Sequence, residues 1–336
     1  MRVAMVTAPG KTDIVEVADP TPGPRDVLIK MRACGICGSD AMYIAIGGIP
    51  PRQGRTPLGH EPAGEVLEVG SDVDGVKAAD HVVVNPMAAP TGIIGNGGAT
   101  GALADLLLIE DAVVGTSLAV IPEDVPFEVA ALNEPMAVAL HGVNRTAPQP
   151  TDKVVVFGAG PIGLGATLGY KSRGVGSVVV VDLIQSRLDK ALAIGADAVV
   201  NAAAEDVARR LRELHGEGDA LFPGRVGSDI FYDAAGAPSV ISTVVASAKR
   251  GATLGITAVH REPVAVDLMS LMSNEITILG SMGYPDEIFE VTEDIAAGWR
   301  TYAQIVSHTI PFDDVQDALR TASTPGAADK VVVVFD

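Results

Sequence analysis

The 336-residue sequence is poor in basic residues, in aromatic residues and in cysteine. Its 24 lysines and arginines stand against 42 aspartates and glutamates, and the net charge is −18. Nucleic acid and anionic membranes are bound by basic patches, so we expect neither as a partner. Aromatic residues make up 4% of the chain and offer no obvious platform for stacking a large aromatic substrate. With only two cysteines, Cys34 and Cys37, a disulfide framework is excluded as the basis of the fold.

Long apolar runs are missing as well. A membrane-spanning helix needs about 18 or more mostly apolar residues in a row, and no run in this sequence reaches that length. The first residues, MRVAMVTAPGK, form a short strand pattern and carry no secretory signal. We therefore expect a cytoplasmic protein. Its hydrophobic content of 48% is ample for buried cores, and its length allows two domains.

The most informative stretch is residues 154–182, where two apolar runs flank a glycine-rich turn. The first run, VVVF, leads into the turn GAGPIG at 158–163 and then into a helical stretch. The second run ends on Asp182. This order of strand, turn, helix, strand and acid is typical of a βαβ unit that binds a dinucleotide. A glycine-rich turn in a flavodoxin-like sheet is the alternative.

Each glycine of the turn has a steric role in this interpretation. Gly158 permits the tight turn, Gly160 lets bare backbone approach a pyrophosphate, and Gly163 lets the helix pack close to the strand. Asp182 is expected to bind the adenosine ribose and to repel a 2′-phosphate, which favours NAD over NADP. Arg187 is either an adenine contact or a solvated helix charge. The cofactor contacts predicted in this unit are Gly158, Gly160, Pro161, Ile162, Gly163, Asp182 and Arg187.

The patterns around this unit predict an α/β protein of two domains. Short strands separated by Gly and Pro come first and indicate a mostly β domain. Residues 122–143 are predicted to form one helix. Beyond it, strands alternate with helices, as in a doubly wound parallel sheet of Rossmann type. We predict a Rossmann dinucleotide-binding domain at 137–280 and a mostly β domain built from 1–136 and 281–336.

The β domain carries a second chemical pattern. Cys37 lies in CGICGSD, His60 and Glu61 lie in GHEP, and Glu134 lies in NEPM. A thiolate, an imidazole and a carboxylate are ligands of a catalytic Zn²⁺, which keeps its fourth position open for water or substrate. Two alternatives apply here. Cys34 and Cys37 could form a redox pair, and His60 could be a structural core histidine.

In these motifs the sequence resembles the zinc-dependent medium-chain dehydrogenase/reductase (alcohol dehydrogenase) family, and most of all its 2,3-butanediol and sorbitol dehydrogenases. The motifs, in chain order, are CGICGSD, GHEPAGEV, NEPMAVALH, VFGAGPIG and the acid at Asp182. The resemblance implies a GroES-like catalytic domain and a homodimer or homotetramer. It also implies hydride transfer between NAD(H) and a secondary alcohol, vicinal diol or polyol and the matching ketone. A zinc-free reductase of activated double bonds or quinones, and a non-catalytic NAD-binding protein, are the alternatives.

The resemblance further implies a ligand set for the zinc. Cys37 and His60 match the first two ligands of the family. Either Glu61 or Glu134 supplies the third, and the sequence does not decide between them. Asp40 would orient a ligand without binding the metal itself, a role that commonly affects metal affinity.

One serine is implied in proton transfer. Ser39 matches the family hydroxyl that takes the proton of the alcohol. Many members carry a histidine three residues later as the outer end of the relay, but Met42 stands there in this chain. A thioether cannot pass a proton, so the proton must leave through cofactor ribose and water, or through Tyr43. The catalytic residues implied are Cys37, Ser39, His60 and Glu61.

The expected cofactors are NAD and one catalytic Zn²⁺ per chain. Family members with a structural zinc bind it through a four-cysteine lobe, whereas residues 85–104 contain no cysteine. A second, structural zinc is therefore excluded on ligand count. Lys330 resembles a basic position of the family that contacts the pyrophosphate.

Overall fold

A computed structural model of the chain describes residues 1–49, 55–221, 223–324 and 326–336. Its contacts divide the chain into two compact units. The first unit comprises Met1–Glu134 and Ile288–Asp336, and the second comprises Pro135–Glu287. No helix in these described ranges has both the length and the apolar character needed to cross a membrane.

The strands and α-helices of the described residues have the following bounds. The strands are β1 (Arg2–Ala8), β2 (Lys11–Glu16), β3 (Val27–Gly35), β4 (Thr56–Pro57), β5 (Glu61–Val69), β6 (His81–Val84), β7 (Leu106–Ile109), β8 (Leu118–Val120), β9 (Lys153–Phe157), β10 (Ser177–Asp182), β11 (Ala198–Asn201), β12 (Ile230–Asp233), β13 (Thr253–Ile256), β14 (Thr277–Gly280), β15 (His308–Pro311) and β16 (Val331–Val334). The α-helices are α1 (Gly38–Ile46), α2 (Phe127–Ala130), α3 (Asn133–Arg145), α4 (Pro161–Ser172), α5 (Gln185–Ala193), α6 (Val207–His215), α7 (Pro238–Ser247), α8 (Leu268–Ser273), α9 (Glu290–Tyr302) and α10 (Val315–Ser323).

The first unit is built on β-sheets. A seven-stranded sheet has the order β15-β16-β3-β5-β6-β8, with β7 paired to β3, and a second sheet has the order β2-β1-β4. Alternate residues of β3, namely Val27, Ile29 and Met31, are fully buried, because side chains on one face of a strand recur every second residue. The sheet brings two distant strands beside β3. Both β5 and β16 pair with it in antiparallel register.

The second unit holds a six-stranded parallel sheet of order β11-β10-β9-β12-β13-β14. Val154, Val155 and Val156 of its central strand β9 are all fully buried, as expected for a parallel sheet covered on both faces. The strand order reverses between β9 and β12, which is the switch point of a Rossmann sheet. The predicted fold class, a Rossmann sheet together with a mostly β domain, is confirmed.

The prediction of a single helix at 122–143 is wrong. The structure has α2 and α3 instead, separated at residues 131–132. Residues that precede a proline avoid the α conformation, so the helix cannot begin before Pro126. Pro135 lacks the N–H that a continuous helix would donate to the carbonyl of Ala131, which favours the interruption at residues 131–132.

Candidate functional site

Cys37 lies where β3 gives way to α1. It is the N-cap residue of α1, with an extended backbone at φ −100° and ψ 156°. Its N–H donates to Oδ2 of Asp40 at 2.9 Å, which fixes the first turn of the helix. The local fold therefore presents Cys37 as a ligand.

His60 directly precedes β5 and Glu61 is its first residue, and the two are 2% and 1% exposed. Gly59, with φ +90°, supplies the left-handed turn that directs the chain into this strand. In the pairing of β3 with β5, Glu61 lies opposite Gly35. A Cβ atom on Gly35 would overlap the Glu61 carboxylate, so a glycine is required for this carboxylate to lie across β3.

Three predicted ligands come together here. One ligand atom from each of Cys37, His60 and Glu61 lies within 4.8 Å of the other two. Glu61 Oε1 is buried and has no hydrogen-bond partner among the described residues. Buried polar atoms without partners are costly. A thiolate, an imidazole and a carboxylate that converge in this way fit a Zn²⁺ ion.

Glu134 is close to this cluster without being part of it. It lies in the first turn of α3 and is 8% exposed. Within the described ranges, its carboxylate is not among the ligand atoms that meet within 4.8 Å. Its charge nevertheless acts on His60 and helps to raise the pKa of that imidazole.

Asp40 is the predicted orienting residue, and the structure buries it completely. Its Oδ1 lies 3.7 Å from His60 Nδ1. Burial raises the pKa of Asp40. Burial also opposes a charge on His60, but the negative charges of Asp40, Cys37 and Glu134 outweigh it and raise the pKa of His60 well above its usual value. The pocket thus favours positive charge at the position where a metal would bind.

Lys330 belongs to the same buried cluster. It directly precedes β16, which pairs with β3, and its side chain is 3% exposed. Its Nζ donates to the carbonyl of Ile36 at 3.0 Å and forms an ion pair with Glu61. Burial disfavours its charge, but Glu61 more than compensates and raises the pKa of Lys330. These are partners within the first unit, and the predicted pyrophosphate contact of Lys330 stays a prediction.

Ser39 also lies beside the cluster. It is in the first turn of α1, and its Oγ is 3.5 Å from His60 Nε2. The residue is partly exposed, whereas His60 and Glu61 are buried. The structure therefore places a hydroxyl next to the predicted ligands, at the side of the cluster that is less buried.

The glycine turn lies in the second unit, between β9 and α4. Gly158 has φ +97°, and a Cβ atom on Gly163 would overlap the Gly158 carbonyl. Gly160 caps α4 at its N-terminus, and a Cβ atom there would meet nothing within 4 Å. Pro161 and Ile162 form the first turn of the helix. Open space over bare backbone at a helix N-terminus fits a pyrophosphate.

Asp182 ends β10 beside this turn. Its Oδ2 accepts the N–H of Ala159 at 2.7 Å, and its Oδ1 accepts the N–H of Ile184 at 2.9 Å. Two backbone bonds therefore hold the carboxylate next to the space over the turn. Arg187 follows in the first turn of α5 and is partly exposed.

Sequence reasoning did not pair Asp233 with His260. Asp233 is the last residue of β12, and its Oδ2 lies 2.7 Å from His260 Nε2. Its Oδ1 accepts the N–H groups of Ala235 and Gly236, both at 2.9 Å. His260 lines a concavity of about 350 Å³ at the carboxyl end of the parallel sheet, the edge where dinucleotides bind. The two residues are 27 positions apart, and no local pattern connects them.

Known proteins resemble this chain over its whole length. Residues 161–297 match the family described as zinc-binding dehydrogenase, and residues 23–116 match the alcohol dehydrogenase GroES-like domain. Sorbitol dehydrogenase of Rattus norvegicus is 30% identical over 99% of this chain and 95% of its own. (R,R)-butanediol dehydrogenase of Bacillus subtilis (strain 168) is 28% identical over 90% of each chain. The crystal structure of 2R,3R-butanediol dehydrogenase from Bacillus subtilis superimposes with a TM-score of 0.86, at 26% identity and 99% coverage of both chains.

Proposed function

The chain belongs to the zinc-type medium-chain alcohol dehydrogenase family and is an oxidoreductase, and we propose that it is an NAD-dependent, zinc-dependent dehydrogenase. The observation that carries this proposal is the buried convergence of Cys37, His60 and Glu61. A zinc-free reductase or a non-catalytic NAD-binding protein would have no use for these three donors, and no observation favours either.

Cys37, His60 and Glu61 are the proposed zinc ligands. Glu61 is preferred over Glu134 as the third ligand because its carboxylate meets the other two ligand atoms within 4.8 Å. Bound zinc would act as a Lewis acid on the substrate oxygen. Asp40 orients His60, and the burial of His60 and Glu61 keeps water away from the ligand side of the site.

The proposed cofactor is NAD. Backbone N–H groups at the start of α4, beside Gly160, bind the pyrophosphate. Asp182 accepts hydrogen bonds from the adenosine ribose, and its charge repels a 2′-phosphate. Asp233 ends β12 and His260 lies in the loop after β13, both beyond the switch point, so we assign them to the nicotinamide half. NAD itself supplies the hydride acceptor.

The proposed substrates are small secondary alcohols, vicinal diols or polyols and the matching ketones. The similarity to sorbitol and butanediol dehydrogenases supports this class. Ser39 is the residue proposed to take the proton of the reacting hydroxyl, since its Oγ lies 3.5 Å from His60 Nε2 and the residue is partly exposed.

We further propose a homodimer or homotetramer. Among the described residues, strand β14 is the outer strand of the parallel sheet, and an outer strand can pair with a strand of a second chain. Large apolar side chains in the segments before and after β14 in the sequence are exposed by 64–91%, namely those of Leu268, Met269, Met272 and Met282. Exposed apolar side chains beside an open strand are typical of an interface. Sedimentation equilibrium would determine the mass in solution.

The test of the proposed function is zinc content, measured with NAD and NADP reduction over a panel of secondary alcohols, diols and polyols. About one zinc per chain is expected in the wild type, with activity preferring NAD. Cys37→Ser should lose zinc and activity together. Cys34→Ser is the matched control, because Cys34 is a buried thiol outside the cluster and its loss should leave the zinc in place. A wild-type chain without zinc but with NAD binding would overturn the proposal.

A further inference from the structure

We propose that the hydrogen bond between His260 and Asp233 positions the loop after β13 for the nicotinamide half of NAD. This inference rests on the proposed function, because it concerns the cofactor that the chain is proposed to bind. It goes further by giving His260 a specific role. His260 acts through Asp233 and the loop, as a positioning residue, without touching the reacting atoms.

Asp233 joins the two segments that follow β12 and β13. It is the last residue of β12 and is fully buried. Its Oδ1 accepts the N–H groups of Ala235 and Gly236, which fixes the turn after β12. Its backbone carbonyl accepts the N–H groups of Thr257 and Ala258 at 3.1 and 3.0 Å, which fixes the start of the loop after β13. One residue therefore sets the backbone of both segments.

The middle of this loop depends on His260. Among the described residues, the bond from His260 Nε2 to Asp233 Oδ2, at 2.7 Å, is the one hydrogen bond that residues 259–266 make. Nε2 is the donor, because a carboxylate only accepts hydrogen bonds. Farther along, Val264 and Val266 pack against the hydrophobic core of the second unit. The part of the loop before these two valines thus has a single polar anchor.

The same part of the loop lines the concavity of about 350 Å³. Residues 259–262 line it together with residues of the turn after β12. A Cβ atom on Gly236 would lie 2.8 Å from the carbonyl oxygen of Val259, so the turn and the loop approach each other closely. The side chain of Val259 is 77% exposed and does not hold the loop by packing. The bond from His260 to Asp233 therefore sets the shape of the concavity.

The strand order favours the nicotinamide half as the occupant of this concavity. A dinucleotide lies across the switch point of a Rossmann sheet, at the carboxyl ends of the strands. The glycine turn and Asp182, proposed to bind the pyrophosphate and the adenosine ribose, follow β9 and end β10. The concavity follows β12 and β13, on the other side of the switch point. Loss of the His260 bond should therefore affect the nicotinamide end of the cofactor and leave the ADP-ribose end unaffected.

The test compares two substitutions of His260 in the full zinc-loaded chain. Glutamine can bring an N–H donor to the region of Nε2, whereas the shorter asparagine reaches only the region of Nδ1. His260→Asn should weaken NADH binding at least about fivefold, the lower end of the usual coupling between sites. The Kd of ADP-ribose, which lacks nicotinamide, should stay unchanged. His260→Gln should bind NADH as the wild type does. His308→Asn is the control, because the His308 ring is exposed and bonded to the neighbouring Ser307.

Three outcomes would overturn the proposal. Equal weakening of NADH and ADP-ribose in His260→Asn would show that the bond supports the whole unit. Wild-type NADH affinity in His260→Asn would show that the loop does not need the bond. A loss in His260→Gln as large as that in His260→Asn would show that the donor is not what matters. Failure of the proposed function is distinguishable, because it would appear in the wild type as absent zinc or absent NADH binding.

Discussion

Replacing Lys330 with methionine is expected to increase the affinity of the chain for zinc. Lys330 and Glu61 form an ion pair whose side chains are 3% and 1% exposed. If Glu61 is a zinc ligand, the Lys330 ammonium on Oε2 and the metal on the unpartnered Oε1 would share one carboxylate, and their positive charges would repel each other. Methionine fills a similar volume without a charge, so the substitution removes the repulsion and keeps the packing.

The size of the effect follows from the burial of the pair. Removing one partner of a buried ion pair costs about 3–5 kcal/mol, because the other charge is left uncompensated. In the zinc-free protein, Lys330→Met should lower the free energy of unfolding by this amount, because the Glu61 carboxylate is left without its partner. Bound zinc supplies the missing positive charge and removes part of the cost. Each 1.4 kcal/mol recovered corresponds to a tenfold gain in affinity, so zinc should bind at least about tenfold more tightly.

The assay is competition for zinc against a chelator of known affinity, together with urea unfolding of the zinc-free proteins. Lys171→Met is the matched control. Lys171 forms an exposed ion pair with Asp197 in the second unit, at 3.1 Å, and exposed pairs contribute about 0–1 kcal/mol. Its loss should leave the zinc affinity unchanged.

The opposite outcome would refute the reasoning. If Lys330→Met lowers the stability of the zinc-free and zinc-loaded proteins equally, zinc affinity stays at the wild-type value. Glu61 would then serve only as the partner of Lys330. Glu134 would become the third ligand, and a Glu134→Gln variant should lose zinc in its place.

Two further predictions concern Gly35 and His215. Gly35→Ala should lower zinc content, because the new Cβ would overlap the Glu61 carboxylate. Gly38→Ala is the control, because a Cβ atom at Gly38 would meet nothing within 4 Å. Equal zinc content in the two variants would contradict the argument. Burial, followed by Lys153, lowers the pKa of His215 from 6.5 to about 4. Its stability contribution is therefore complete above pH 6.5 and declines towards pH 4 by up to about 3 kcal/mol. In His215→Asn the urea midpoint should fall less over this window, and an equal fall would refute the assignment.

The strand, turn, helix and strand of residues 154–182 could be predicted because their signals are local. The strand, the glycine turn, the helix and Asp182 all fall within residues 154–182, and each has a steric reason that does not depend on the rest of the chain. The N–H of Ala159, which donates to Asp182, belongs to the turn itself. Short sequence separation made the fold of this unit predictable from the sequence, and its role in binding a cofactor stays a prediction.

The prediction of a single helix at 122–143 was wrong, and the reason is equally local. Apolar periodicity favours a helix through this segment, but periodicity does not register a missing backbone donor. Pro126 and Pro135 act through the backbone. A proline disfavours the α conformation of the residue before it, and it lacks the N–H that would donate a helical hydrogen bond. The break also places Glu134 in the first turn of a new helix.

The ion pair of Glu61 with Lys330 was beyond sequence reasoning. The two residues are 269 positions apart, and they meet because β5 and β16 both pair with β3. Strand order in an antiparallel sheet is a property of the complete fold, and no motif in either segment encodes it. The question of the third ligand, which the sequence left open, depends on this pairing.

The cysteine-free segment 85–104 has a role in the structure that its sequence does not indicate. Sequence reasoning predicted only that it binds no structural zinc. In the structure, Ala102 donates to the carbonyl of Gly59 at 2.8 Å, directly before His60. A Cβ atom on Gly95 would overlap that same carbonyl, so Gly95 must remain glycine for the loop to approach. The loop therefore supports the backbone that presents His60, and ligand geometry depends on a segment that has no ligand of its own.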